Sequence, residues 1–254
     1  MATAAEIGEL ARRILTGDAR AVARAATLAE NQSAAVEQLR KILAAHTGRA
    51  VTIGITGPPG VGKSTLVDQL TKTLRDQKKT VGIVAVDPSS PFSHGAILGD
   101  RVRMQRHYDD PGVFIRSMAS RGKSGGLAEG ARDVAFLFAA AGRSVVFIET
   151  VGVGQDEVEV ARVADVTVLV LAPGLGDDVQ AMKAGIMEIA DVFAINKSDM
   201  PGAERLEQEI RMMQSLGSEQ ERSIAAPVRR VVATEGTGVE DLLAAIDDVF
   251  RNRK

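Results

Sequence analysis

From residue 51 onward, short apolar runs alternate with segments whose apolar positions recur every three or four residues. The runs predicted to be strands cover 51–56, 81–86, 113–116, 145–148, 166–171, 192–196 and 228–232. Several are unbroken β-branched stretches without polar alternation, the pattern of a strand covered on both faces. Helical spacing predicts helices over 63–77, 126–141, 178–190, 202–216 and 239–251. Strands alternating with helices give an α/β fold with a doubly wound, mostly parallel sheet flanked by helices. Ahead of it, residues 3–16, 18–30 and 33–46 also carry helical spacing, with stop and N-cap signals at Gly17 and Asp18 and at 31–33. Three short helices hold little core of their own. Residues 1–48 are therefore expected to form a helical extension packed on a main domain spanning 49–254.

Composition narrows the function classes. The chain has 254 residues, 45% of them apolar, enough for one large domain with an extension. A net charge of -2, no Trp and one Tyr argue against a nucleic-acid partner, which needs basic surface or stacking platforms. No Cys is present, so disulfides and thiolate metal sites are excluded. No apolar run approaches the roughly 20 residues needed to span a bilayer. The N-terminus carries Glu6 and Glu9 and lacks the apolar core of a signal peptide. The expected location is cytoplasmic, with no membrane partner.

Gly57-Pro58-Pro59-Gly60-Val61-Gly62-Lys63-Ser64-Thr65 matches GxxxxGK[ST] and lies between a β-branched strand and a helix. Glycines let backbone N–H groups turn inward around a β-phosphate, and the following helix adds its positive end. Lys63 would bridge the β- and γ-phosphates, and Ser64 would place its hydroxyl on Mg²⁺. The motif and its context make the main domain a P-loop nucleoside triphosphatase.

Asn196-Lys197-Ser198-Asp199 follows the strand predicted over 192–196, at the carboxyl end where open α/β sheets bind ligands. The Asp199 carboxylate can accept from guanine N1–H and the 2-amino group together, an arrangement adenine does not offer. Lys197 would lie along the base and Asn196 would tie this loop to the phosphate loop. Ala233, after the last strand, is the candidate backbone contact to guanine O6. The nucleotide is therefore GTP or GDP.

Acids at strand ends supply the metal candidates. Asp87 and Glu149 end buried strands, and Asp100 follows in Gly99-Asp100-Arg101. With Ser64 they form the proposed Mg²⁺ set; an N-cap role is the alternative for Asp100. Lys63, Asp87 and Glu149 are the candidate catalytic residues. In Ras-type proteins a Gln directly after the switch Gly orients the attacking water. Here that position is Val153, and Gln155 is poorly spaced to replace it, so hydrolysis by the chain alone is expected to be slow. Arg116, Arg121 and Lys123 are candidates for an internal arginine finger, against a purely structural role. Arg101, Arg103, Arg106 and His107 form a basic run, either a solvated face with salt bridges or a contact surface. Met182, Met187, Met212 and Met213 are read as core filler.

Together with these motifs, several longer stretches resemble the MeaB/ArgK/methylmalonic-aciduria-type-A family of GTPases. They are residues 86–91 (VDPSSP), 95–104 (GAILGDRVRM), 120–122 (SRG), 149–155 (ETVGVGQ) and 174–185 (GLGDDVQAMKAG). The resemblance implies a GTPase that chaperones an adenosylcobalamin-dependent acyl-CoA mutase, methylmalonyl-CoA or isobutyryl-CoA mutase-like. GTP binding and hydrolysis would gate cofactor loading from an adenosyltransferase and removal of inactive cofactor. It also implies a metal set on Ser64, Asp87, Asp100 and Glu149, and a third switch loop over 172–183. Bacterial chaperone-type members continue into a helical dimerisation arm, whereas the chain ends at Lys254, so a homodimer would form without that arm. Pro91-Phe92-Ser93-His94 departs from the commoner polar stretch and offers Phe92 as a partner anchor or a buried residue. Two other classes remain in view. A nickel-insertion GTPase would need Cys or His ligands, and His46, His94 and His107 are scattered. A non-catalytic module switched by GTP would need no hydrolysis.

Overall fold

Seven parallel-paired strands build one sheet in the order β3-β2-β4-β1-β5-β6-β7. They are β1 (Val51–Thr56), β2 (Val81–Asp87), β3 (Val113–Ala119), β4 (Val145–Glu149), β5 (Val166–Leu171), β6 (Val192–Ile195) and β7 (Val228–Arg230). The helices are α1 (Ala4–Leu15), α2 (Ala19–Glu30), α3 (Ala35–Leu43), α4 (Lys63–Asp76), α5 (Gly126–Ala140), α6 (Gln155–Val163), α7 (Ile186–Ile189), α8 (Ala203–Gly217) and α9 (Val239–Asn252). This computed structural model describes residues 3–48, 50–87, 104–119, 126–150, 155–174, 186–217 and 225–253.

Alternation along the strands divides the core. In β4, Val145 and Phe147 join Ile53, Ile55 and Val168 on the face covered by α4 and α9. Val146 and Ile148 point the other way, onto α5. All five residues of β4 are buried, as expected for a strand enclosed on both sides. Further along the sheet, Leu169, Leu171, Phe193 and Ile195 meet Leu206 and Ile210 of α8.

The amino-terminal helices share the α5 core. Ile7, Ile14, Val22, Ala25, Leu39 and Leu43 cluster with Val134, Leu137 and Phe138 and with Val84 and Ile148 of the sheet. Thr3 and Glu6 form a capping box on α1, and Asp18 caps α2 by accepting the N–H groups of Arg20 and Ala21 at 2.9 and 3.0 Å. Arg116 of β3 grips Glu30 at the end of α2 through two bonds of 2.6 Å.

Several boundaries differ from the sequence expectation. Helix α3 starts at Ala35, two residues after Ser33, whose hydroxyl accepts only a long 3.4 Å bond from Ala35 N–H. Strand β3 runs on to Ala119, because its whole length pairs with β2. Strand β7 stops at Arg230, and Val232 instead bridges Thr237 across a turn. Of the helix expected over 178–190, only α7 lies within the described residues. Helix α6 was not anticipated: Val158 and Val160 alternate with Glu157 and Glu159 in a strand-like way, yet the segment packs helically against α5 and β1.

Candidate functional site

The carboxyl ends of β1, β4, β5 and β6 converge on the turn after β1. Gly57 adopts φ +138°, and a Cβ there would stand 2.1 Å from the Val170 carbonyl oxygen of β5. Gly62 adopts φ +93°, and a Cβ there would stand 2.5 Å from Asn196 Nδ2. Only glycine fits either position. The turn is thereby drawn tightly over the sheet edge with its amides unhindered by side chains.

Gly62 is the N-cap of α4 and supplies no side-chain acceptor, in contrast to the capped starts of α1 and α2. A helix start of this kind, without a side-chain cap, is where a phosphate can accept from backbone N–H groups. Lys63 is buried, and its Nζ donates to the Gly57 and Pro58 carbonyls at 2.7 and 2.9 Å. Ser64 donates to Glu149 Oε1 at 2.6 Å, and both residues are buried. A hydroxyl of the phosphate loop and a carboxylate at the end of β4 therefore meet, although 85 residues separate them. Thr150 follows, its N–H on the Ile55 carbonyl at 3.1 Å and its hydroxyl 3.2 Å from that of Thr56. Pro58 and Val61 are buried, Pro59 and Gly60 exposed, and Thr65, the third residue of α4, is half-buried.

The second loop is locked to the first. Asn196, 3% exposed, donates through Nδ2 to the Val61 carbonyl at 2.8 Å and accepts the Ala233 N–H at 3.0 Å. Lys197 takes the left-handed conformation, φ +56°, uncommon for a side chain of this kind. Its Nζ donates to the Gly60 carbonyl at 2.8 Å. Asp199 stands exposed beyond them. The N–H of Ala233, the expected contact to guanine O6, is engaged by Asn196 Oδ1.

Of the expected site residues, Asp100 lies outside the described residues, as do Phe92, His94, Arg101, Arg103, Arg121, Lys123, Val153 and Met182. Asp87 is the last residue of β2, beside Ala119 of β3. Arg116 does not face the phosphate loop: its guanidinium is held by Glu30 and by the Thr27 hydroxyl at 3.1 Å. Its candidacy as an arginine finger is corrected to a structural tie between β3 and α2. Arg106 and His107 likewise serve α4, Arg106 pairing with Asp68 at 2.6 Å and donating to Gln69 at 3.0 Å, and His107 lying 3.1 Å from Asp68. Met187 and Met213 fill the α8 core, whereas Met212 is 64% exposed. Sequence reading missed Gln69, which lies against Gly236 in the turn after β7 and so connects α4 to the base loop. No local pattern marked it.

A family model described as methylmalonyl Co-A mutase-associated GTPase MeaB matches residues 22–254. A putative GTPase of Pyrococcus abyssi is 51% identical over 238 residues, covering 93% of this chain and 74% of that protein. GTPase ArgK of Escherichia coli is 41% identical over 203 residues, covering 78% of this chain and 61% of its own. The crystal structure of a LAO/AO transport system kinase superposes with a TM-score of 0.75 at 30% identity, covering 98% of this chain and 76% of that one. Among the described residues no helix is long and apolar enough to cross a membrane. A phosphate loop joined to a guanine-type base loop through Asn196, on a parallel sheet matched along almost its whole length, places the chain in the MeaB family of P-loop GTPases, enzymes that hydrolyse GTP.

Proposed function

We propose that the chain is a GTP-driven chaperone of an adenosylcobalamin-dependent acyl-CoA mutase, working with an adenosyltransferase in cofactor loading and repair. The observation that carries the GTP half is the Asn196 bridge, which fixes the base loop against the phosphate loop at Val61 and Ala233. The mutase half rests on the family, whose description names methylmalonyl-CoA mutase.

In this reading the N–H groups of residues 60–65 surround the β-phosphate, and Lys63 leaves the Gly57 and Pro58 carbonyls to bridge the β- and γ-phosphates. Asp199 accepts from guanine N1–H and the 2-amino group, with Lys197 along the base. Water attacks the γ-phosphorus, the bond to the β–γ bridging oxygen breaks, and GDP and phosphate leave. The Ser64 and Glu149 pair fits a hard divalent cation, because it joins two oxygen donors at the foot of the phosphate loop. Mg²⁺ would be held by Ser64, Asp87, Asp100 and Glu149, and when bound it neutralises charge on the phosphate oxygens. No glutamine stands at Val153 to orient the water, so turnover is slow until a partner completes the site.

The test is GTP hydrolysis by the purified chain with and without such a mutase, with Lys63→Ala as the blank. Slow turnover that rises when the mutase is added supports the reading. Brisk turnover indifferent to the mutase would leave a GTPase without the proposed client. The chain is expected to act in the cytoplasm.

A further inference from the structure

At the amino-terminal end of the sheet, across from the phosphate loop, lies a cavity of about 380 Å³. Its wall comes from three separate parts of the fold. The turn between α1 and α2 gives Gly17, the segment before β3 gives Tyr108, Asp109 and Pro111, and β3 and the approach to β4 give Phe114 and Arg143. The volume falls within the range of small-ligand pockets, about 300–1,000 Å³.

Arg143 is the unusual member. Its Nε is buried without a hydrogen-bond partner, and its guanidinium makes no ion pair among the described residues. A buried donor left unmade is costly, and more so when charged. The nearby carboxylate is already used: Asp110 takes Arg75 Nε and Nη2 at 2.8 and 2.9 Å and the Gly112 N–H at 2.7 Å. Asp109, exposed on the rim, forms no ion pair with Arg143 either. Burial, and then the charge of Arg75, push the Arg143 guanidinium below its ordinary value, against a smaller opposing pull from Asp110. His107 and the two aspartates also line it, and the rest of the wall is apolar and aromatic. Tyr108 is 68% exposed, and Phe114 is half-buried, stacked edge-on against Phe138 with ring centroids 5.0 Å apart.

We propose that this cavity binds a small carboxylate with an aromatic or branched apolar body, its oxygens on Arg143 and its body against Phe114 and Tyr108. A single guanidinium without a partner matches a single negative charge. A phosphate dianion would bring a second negative charge toward Asp109 on the rim, while Arg75 is already engaged by Asp110. Because the cavity and the phosphate loop lie at opposite ends of the strands, the ligand and the nucleotide can be bound together.

The full chain saturated with GDP and Mg²⁺ is titrated with sodium benzoate and, separately, with inorganic phosphate, followed by ¹H–¹⁵N NMR including the arginine Nε–H signals. Occupying the phosphate loop with GDP keeps phosphate from binding there. Benzoate should shift the Arg143 Nε–H and the Tyr108 and Phe114 amides saturably, with a Kd on the order of 1 mM. Arg143→Gln should weaken binding about tenfold, as expected for loss of a charge-assisted pair. Tyr108→Ala, an exposed site that cannot unfold the chain, should weaken it about threefold through lost ring contact. The proposal is overturned by the absence of a saturable benzoate shift at these residues, or by shifts that persist unchanged in both variants. Phosphate binding at Arg143 more tightly than benzoate would equally overturn the carboxylate assignment.

Discussion

Replacing Asn196 by alanine tests whether one side chain holds the two halves of the nucleotide site together. The bridge consists of a 2.8 Å bond to the Val61 carbonyl and a 3.0 Å bond from the Ala233 N–H. Val61 is 0% exposed, and Asn196 and Ala233 are each 3% exposed, so water cannot replace what alanine removes. Each backbone group left unpaired in such surroundings costs about 1–3 kcal/mol. The two losses share one cavity and do not simply add, giving about 2–5 kcal/mol in total. That is a large share of the roughly 5–15 kcal/mol that holds a domain folded. At about 2–4 °C per kcal/mol for a chain of this size, Tm should drop by about 5–15 °C. The assay is urea and thermal unfolding of the nucleotide-free protein, beside Asp199→Asn as a control. Asp199 is exposed, and its loss should weaken GDP binding while leaving stability where it was. Asn196→Ala should lower both. An unchanged urea midpoint for Asn196→Ala, with GDP affinity reduced, would refute the bridging argument and leave Asn196 acting on the nucleotide alone.

Arg116 and Glu30 should show a coupling of about 1–3 kcal/mol in a double-mutant cycle on unfolding, because their side chains are only 20% and 15% exposed and bond at two points. Arg116→Ala should leave GTP turnover within about twofold of the parent; a loss like that of Lys63→Ala would return Arg116 to the phosphate site. Asp110→Asn should be less stable than the parent at neutral pH, since the hydrogen bonds from Arg75 hold the Asp110 carboxyl below its ordinary value. A carboxyl lowered on folding stabilises above its unfolded pKa of about 3.9, and loses that contribution as pH falls through the folded value. The gap between Asp110→Asn and the parent should therefore shrink from about pH 4 downward, and urea midpoints taken from neutral pH to about pH 3 would show it. A gap that ignores pH would mean the Arg75 pair contributes through packing rather than charge.

The seven strands were legible in the sequence as short apolar runs, several of them unbroken β-branched stretches of the kind buried parallel strands need. Their ends were less legible. The end of β3 depends on pairing with β2 over residues 113–119, and that of β7 on a bridge between Val232 and Thr237. Both are contacts with other segments. Helix α6 was missed for a related reason. Residues 155–163 mix alternating valines with helix-forming Glu and Ala, so local preference is balanced and packing against α5 and β1 decides.

The candidate site divides in the same way. Residues 57–65 and 196–199 can be read because each works as a consecutive stretch, with backbone geometry and side-chain chemistry fixed by neighbours in sequence. The relations between stretches are legible only where a motif carries them: the tie of Asn196 to the phosphate loop and the grouping of Ser64 with Glu149 were expected, the Arg116 contact was not. Asn196 reaches back 135 residues to Val61, Ser64 reaches 85 residues to Glu149, and Arg116 reaches 86 residues to Glu30. The last of these explains why the finger assignment failed. An arginine near a glycine-rich loop is equally compatible with two partners, and only the packing of α2 on β3 brings Glu30 and Thr27 within its reach. The Arg143 cavity is the extreme of this trend, since its wall is drawn from three segments with no shared pattern. The two ends of the sheet thus differ in kind: the candidate site at the carboxyl end is written in consecutive residues, while the cavity proposed at the amino end exists only after folding, around a guanidinium that forms no ion pair among the described residues.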